Sequence, residues 1–298
     1  MRRVLVVLLV LVVGGAIAGW ILTGARPGSG TDISGLTGDA EAGALVFAAA
    51  GCASCHSAAG EDGADEDAPV LAGGRTFETE FGTFVAPNIS PDPEAGIGGW
   101  SDQDIATAVT AGVTPDGQHL YPSFPYRAYA LAEPQDIADL IAHLRTLPPS
   151  GETPPGHDLA FPYSIRRSVG AWKILAGTPG FVVDGDLFEA ETRGRYIAEA
   201  LTHCGECHTP RNGLGISDTS RWLAGAPNPA GRGTIPNITP GGLDWSETDI
   251  AAYLRTGLTP DYDSAGGEMA VVVEELGRLP DEDHAALAAY LKRVAPVE

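Results

Sequence analysis

A chain of 298 residues with a formal net charge of −21 is repelled by nucleic acid and by anionic lipid, which leaves solubility and basic partners as the roles its charge favours. Its hydrophobic content of 44% is ordinary and aromatics make up only 7%, so the composition is that of a globular body with room for two domains once terminal segments are subtracted.

Met1-Arg2-Arg3 precedes an almost unbroken apolar run from Val4 to Leu22. A run of this length crosses a bilayer, which takes about 20 residues. The two arginines favour the cytoplasm, which sends the rest of the chain outward. Residues 1–24 are therefore predicted to be a single-pass anchor. A cleaved signal peptide is the alternative, because Ala16-Ile17-Ala18 resembles a small-residue cleavage site, but Trp20, Ile21 and Leu22 continue the apolar stretch beyond it. Gly24 to Gly38, rich in Gly, Ser, Thr and Pro, reads as a tether, with 25–38 as linker.

Asp39 to Ala50 is predicted to be a short helix leading into Cys52-Ala53-Ser54-Cys55-His56. Glu191 to Thr202 leads in the same way into Cys204-Gly205-Glu206-Cys207-His208. Both helices carry a glycine, Gly43 and Gly194, that lets another helix cross closely. The two pentapeptides use all four cysteines. Two thiols three positions apart can form thioethers to the two vinyl groups of one haem, and the adjacent histidine can ligate its iron. A disulfide, a thioredoxin-like pair and a zinc site are the other readings of a single copy. A shared zinc site would have to gather cysteines across some 150 residues, far from the close spacing of zinc ribbons. Two copies, each followed at once by histidine, predict two covalently bound haem c groups held by Cys52, Cys55, Cys204 and Cys207, with His56 and His208 as iron ligands. Between the motifs, Glu61, Asp62, Asp65, Glu66 and Asp67 form an acidic run that reads as a solvated loop, with a docking patch or calcium site as alternatives.

The chain then repeats itself. Leu71-Ala72-Gly73-Gly74 answers Leu223-Ala224-Gly225-Ala226, and Pro87-Asn88-Ile89-Ser90-Pro91 answers Pro236-Asn237-Ile238-Thr239-Pro240. Trp100-Ser101-Asp102-Gln103-Asp104-Ile105 answers Trp245-Ser246-Glu247-Thr248-Asp249-Ile250, and Gly112-Val113-Thr114-Pro115-Asp116 answers Gly257-Leu258-Thr259-Pro260-Asp261. The collinear order predicts two duplicated domains, 39–150 and 191–298, joined by 151–190. Ser101 and Ser246 each precede an acidic residue by three and resemble capping boxes. Asp136 to Leu147 and Asp283 to Val294 are predicted terminal helices, stopped by Pro148 and Pro296. Ser164 to Ala176 carries an apolar face opposite Arg166, Arg167 and Lys173. It reads as an interdomain clamp, with an interfacial membrane helix as the alternative. With no run of alternating strands, the fold class is all-α.

Helix, Cys-x-x-Cys-His, long loops and a C-terminal helix resemble class I cytochrome c domains, here in tandem behind an N-terminal transmembrane helix. The repeated Pro-Asn-Ile-Ser/Thr-Pro and Trp-Ser-x-x-Asp-Ile, with Cys204 to Asn212, are similar to membrane-bound cytochrome c subunits of bacterial periplasmic alcohol, aldehyde and gluconate dehydrogenases. The alcohol and gluconate subunits carry three haems, whereas this chain has motifs for two. The resemblance implies a methionine sixth ligand ahead of the last helix, and Met269 stands there, the one methionine besides Met1. The equivalent position in the first repeat is Phe124, where the family often has methionine. The first haem is then open, or is ligated by a histidine such as His119; His143 and His157 are less suited. Without a thioether its potential should be the lower of the two, so electrons enter at the first haem and leave from the second. The expected function is a membrane-anchored respiratory-chain dihaem cytochrome on the periplasmic face of the inner membrane, its N-terminus cytoplasmic. It would take electrons from a periplasmic dehydrogenase or another donor on the quinol side and pass them to a soluble cytochrome or terminal oxidase. The alternatives are a haem enzyme, peroxidase-like or acting on a small inorganic substrate at an open first haem, and a sensor of gas or redox ligands.

Overall fold

The computed structural model describes residues 1–57, 68–228, 231 and 233–298. The acidic run from Glu61 to Asp67 lies outside the described residues. Helix α1 (Arg2–Leu22) is continuous, buries no residue and has a mean hydropathy of 2.8. Its 21 residues reach about 30 Å at the ~1.5 Å rise of an α-helix, which matches the hydrocarbon core of a bilayer.

The segment after it is not the free tether its composition suggests. Thr31 N–H donates to Thr110 Oγ1 at 2.9 Å, Gln103 Nε2 donates to the Thr31 carbonyl at 2.9 Å, and Ile33 is buried in the core. The glycines make this possible, because they let the backbone lie directly on neighbouring helices where a side chain would hold it away.

The first half contains α2 (Ala40–Ala49), α3 (Cys52–His56), α4 (Asp102–Ala111), α5 (Tyr126–Tyr129) and α6 (Pro134–Leu144), followed by α7 (Ser168–Ala176). The second half contains α8 (Glu189–Tyr196), a π-helical turn (Ile197–Leu201), α9 (Gly205–His208), α10 (Glu247–Thr256), α11 (Glu268–Leu276) and α12 (Asp281–Arg293). Both predicted capping boxes form: Ser101 and Asp104 close one at α4, and Ser246 and Asp249 close the other at α10. The terminal helices α6 and α12 begin two residues earlier than predicted. In α6 the first position is Pro134, whose fixed φ suits that place.

Among the described residues, five short strands interrupt the helical pattern. β1 (Thr76–Thr79), β2 (Gly82–Val85) and β3 (Asp158–Leu159) form one antiparallel sheet, with Thr76 opposite Val85 and Gly82 opposite Leu159. β4 (Ala226–Pro227) and β5 (Thr234–Ile235) pair separately. Runs of two to four residues among glycines and prolines give too little alternation to be legible in sequence.

In each half the helix before the Cys-x-x-Cys-His motif crosses the terminal helix: α2 on α6, and α8 on α12. Gly43 sits against the Asp139 carbonyl and Gly194 against the Ala286 carbonyl, so closely that a methyl group at either position would overlap backbone oxygen. These are the close crossings predicted from the two glycines. Gly194→Ala should destabilise the folded protein by about 2–3 kcal/mol, at the upper end of overpacking effects. Chemical denaturation checks this, and a change below about 0.5 kcal/mol would contradict the crossing.

The halves share one apolar core, in which Leu71, Ile105 and Ile137 join Ile197, Leu223 and Leu287. Their contacts are reciprocal, with α5 against the π-helical turn and α11 against α2. Polar pins flank the seam: the Tyr196 hydroxyl donates to Asp136 and accepts from Glu133 N–H at 3.0 Å.

Candidate haem centres

Both pentapeptides fold as a single helical turn, α3 and α9, which brings the two thiols and the histidine of each motif onto adjacent positions of one turn. His56 Nδ1 lies 2.9 Å from the Pro87 carbonyl, and His208 Nδ1 lies 2.9 Å from the Pro236 carbonyl. A backbone carbonyl only accepts, so Nδ1 carries the proton and Nε2 presents a lone pair, the arrangement that orients an iron-ligating histidine. Burial lowers the pKa of both imidazoles and keeps them neutral.

These two carbonyls explain the repeated Pro-Asn-Ile-Ser/Thr-Pro. Asn88 Nδ2 donates to the carbonyls of Ser150 and Glu152 at 2.7 and 2.8 Å, and its Oδ1 accepts from Ser90 N–H. Asn237 does the same with the Val297 carbonyl at 2.7 Å and with Thr239 N–H. Each asparagine thus ties the loop that holds the histidine to the chain beyond the terminal helix. The Leu-Ala-Gly repeat has a matching job. Gly73 N–H donates to the His56 carbonyl and Gly225 N–H to the His208 carbonyl, both glycines at positive φ.

The four cysteines form no disulfide, and their burial works against thiolate ligation of a metal. Burial pushes Cys52 up to about 12 and Cys207 up to about 11, and it also raises Cys55 and Cys204. A zinc site needs thiolates and a gathered ligand set. Among the described residues, no three His, Cys, Asp or Glu side chains cluster at metal-binding distance.

The candidate sixth ligands differ. Met269 is the second residue of α11, half-buried against the core, and so lies on a helix rather than in a loop. Its turn is fastened to the first motif: Arg75 donates to the carbonyl of Ser54, between Cys52 and Cys55, and pairs with Glu268 at 2.8 Å. At the matching place in the first half, the Phe124 ring packs on Tyr129 at 5.6 Å and on Tyr126 at 6.4 Å. His119 is only 6% exposed, and its Nε2 is 3.0 Å from the carbonyl of Thr23, at the foot of α1. The His143 ring meets Phe47 at a tilt, with centroids 5.0 Å apart, and His157 Nδ1 accepts from Val85 N–H at 3.1 Å.

Several residues that no sequence signal marked complete the centres. Tyr129 donates to the Ala50 carbonyl at 3.0 Å and meets the His203 ring edge-on at 5.8 Å; His203 Nε2 is 3.3 Å from the same carbonyl. Ala50 stands two residues before Cys52 and His203 one residue before Cys204, so the two motifs converge on one peptide group. The second half also holds a buried polar network without counterpart among the described residues of the first. Glu199 accepts from Tyr290 Oη at 2.6 Å and from Val183 N–H at 3.3 Å, and Trp222 Nε1 donates to Tyr290 Oη at 2.8 Å. Burial holds the Glu199 carboxyl above its ordinary pKa. At the corresponding crossing in the first half, Phe47 packs on His143.

A cytochrome c family model matches residues 40–148. The chain is 58% identical over 298 residues to a diheme cytochrome c-type protein of Cereibacter sphaeroides, covering all of both chains. It is 37% identical over 277 residues to the fructose dehydrogenase cytochrome subunit of Gluconobacter japonicus, covering 91% of this chain and 55% of that one. It is 33% identical over 267 residues to the gluconate 2-dehydrogenase cytochrome c subunit of Pantoea cypripedii, covering 84% and 58%. The chain therefore spans a little over half the length of these two dehydrogenase subunits. With two Cys-x-x-Cys-His turns of matching geometry and a full-length dihaem relative, the chain belongs to the cytochrome c family and carries two covalently bound haem c groups.

Proposed function

We propose that the chain is a membrane-anchored electron relay of the periplasmic face, made of two tandem class I cytochrome c domains, 39–150 and 191–298. It accepts electrons from a dehydrogenase or quinol-side donor and passes them to a soluble cytochrome or terminal oxidase of the respiratory chain. The observation that carries this reading is the convergence of both motifs on the Ala50 carbonyl through Tyr129 and His203, which packs the two centres together across an apolar seam. The names of the fructose and gluconate dehydrogenase relatives support a dehydrogenase as donor. The length and hydropathy of α1 support the anchor.

Bound haem supplies one-electron redox chemistry; the rest falls to the protein. Cys52, Cys55, Cys204 and Cys207 hold the groups covalently, and His56 and His208, oriented by the Pro87 and Pro236 carbonyls, present Nε2 to iron. Met269 would supply the sixth ligand of the second centre. Phe124 cannot, and the engagement of His119 Nε2 with Thr23 supports a first centre without a strong sixth ligand. A first iron without a thioether ligand would have the lower potential, the order that suits entry of electrons at the first centre and exit from the second.

Stopped-flow mixing of the reduced full-length protein with an oxidised soluble cytochrome c tests the relay. Both haems should be oxidised through one exit, with the two centres staying in equilibrium throughout. Phe124 at the ligand position favours the alternative of a peroxidase-like enzyme, and mixing with peroxide addresses it. Sustained turnover above roughly 1 per second would replace the relay with that enzyme.

A further inference from the structure

The foot of α1 is built into the body rather than loosely joined to it. Arg167 stacks its guanidinium over the Trp20 ring at 4.1 Å and donates to the Trp20 carbonyl. His119 holds the Thr23 carbonyl, and Gly170 of α7 lies against that same carbonyl, too close for a side chain. Ile174 of α7 lines one cleft together with Leu22 and Thr23. The residues after α1 then run pinned along α4, as Thr31 and Ile33 show. If α1 crosses the bilayer, α7 has no freedom to leave the surface where α1 emerges.

That part of the surface is apolar in an otherwise acidic chain. Leu175 is 67% exposed and Ile174 57%, and on the turn leading into α7 Ile165 is 46% and Phe161 81% exposed. Arg166, Arg167 and Lys173 accompany them, half-buried, with their donors on the backbone carbonyls of His119, Trp20, Ala111 and Gly112. Trp20, in the last turn of α1, is at the depth where tryptophans gather at membrane interfaces. A helix with an apolar face, flanking basic residues and a neighbouring tryptophan has the composition of an interfacial membrane helix. Of the two occupants such a face admits, lipid or a protein partner, continuity with α1 and the local positive charge favour lipid.

We propose that Ile174, Leu175, Ile165 and Phe161 lie in the headgroup–acyl boundary of the bilayer that α1 crosses. The first half of the chain is thereby held on the membrane by two contacts. This rests on the reading of α1 as an anchor, and the test separates the two.

Full-length haem-loaded protein is reconstituted in phosphatidylcholine–phosphatidylglycerol nanodiscs with a nitroxide on one introduced cysteine, the native four being taken up by haem. Labels go on Leu175→Cys, Ile165→Cys, Val10→Cys within α1, and Tyr262→Cys, which is 91% exposed in the second half. Collision with oxygen and with a water-soluble nickel chelate reports depth. The 175 and 165 labels should be oxygen-accessible and protected from nickel, though shallower than the label at 10, while the label at 262 should be open to nickel. A lipid-immersed label at 10 with nickel-accessible labels at 175 and 165 would overturn the interfacial contact and leave the anchor standing. A nickel-accessible label at 10 would overturn the anchor and this inference with it. Protection at 175 and 165 that appears only when a partner protein is added would assign the face to that partner and overturn lipid as its occupant.

Discussion

Met269→Ala should lower the higher of the two midpoint potentials by on the order of 0.1 V or more, a modest part of the ~0.8 V range over which axial ligands set haem potentials. The lower potential should stay nearly where it is. The weak thioether-to-iron absorption at the red edge should vanish altogether, because Met1 is the one other methionine and begins the apolar helix. Loss of fold is not expected to confuse the result. Met269 is only half-buried in the first turn of α11, so truncation should cost about 1 kcal/mol, below the ~2–5 kcal/mol of a fully buried methionine. The Arg75–Glu268 pair beside it is too exposed to hold the turn alone, since such pairs contribute about 0–1 kcal/mol. The packing of α11 on α10 and α2 does that instead. Redox titration with spectral monitoring reads both potentials at once. If the higher potential and the red-edge band both survive, Met269 is not the second centre's ligand.

What the sequence disclosed, and what it withheld, divides along physical lines. The Cys-x-x-Cys-His turns, the capping boxes at Ser101 and Ser246 and the crossings at Gly43 and Gly194 are local devices, in which residue type and spacing carry the whole instruction. The Pro-Asn-Ile repeat was visible as a repeat, but its purpose was not. The bonds from Pro87 to His56 and from Asn88 to Ser150 join segments 31 and 62 residues apart, and no local pattern encodes such partners. The same holds for Tyr129, His203 and the Glu199–Tyr290 pair, which acquire meaning only when the two halves, or two distant helices, meet. The composition of Gly24 to Gly38 is ambiguous for a related reason. Small residues permit both a free chain and a chain pressed flat against helices, and only the presence of Thr110 and Gln103 opposite decides which. The strands β1 to β3 are likewise set by pairing between residues 76 and 159, not by their own alternation.

The first centre decides between carrier and enzyme, and Phe124 is the residue through which to ask. If the first iron lacks a strong sixth ligand, the reduced protein should bind carbon monoxide at one haem per chain. Phe124→Met should then abolish that binding and raise the lower potential by on the order of 0.1 V, toward that of the second centre. Space permits the exchange: Phe124 is half-buried, with ring contacts to Tyr126 and Tyr129 that a flexible methionine can keep, so the fold should lose less than about 1.5 kcal/mol. His119→Ala is the complementary variant. Should His119 ligate the first iron, carbon monoxide would bind poorly until that histidine is removed. With His119 held on the Thr23 carbonyl instead, its removal should leave carbon monoxide stoichiometry at one haem per chain and disturb only the seating of α1. A native protein that takes up no carbon monoxide, and a His119→Ala protein that does, would assign the ligand to His119 and close the first centre to substrates, which would leave the relay as the sole role for both haems.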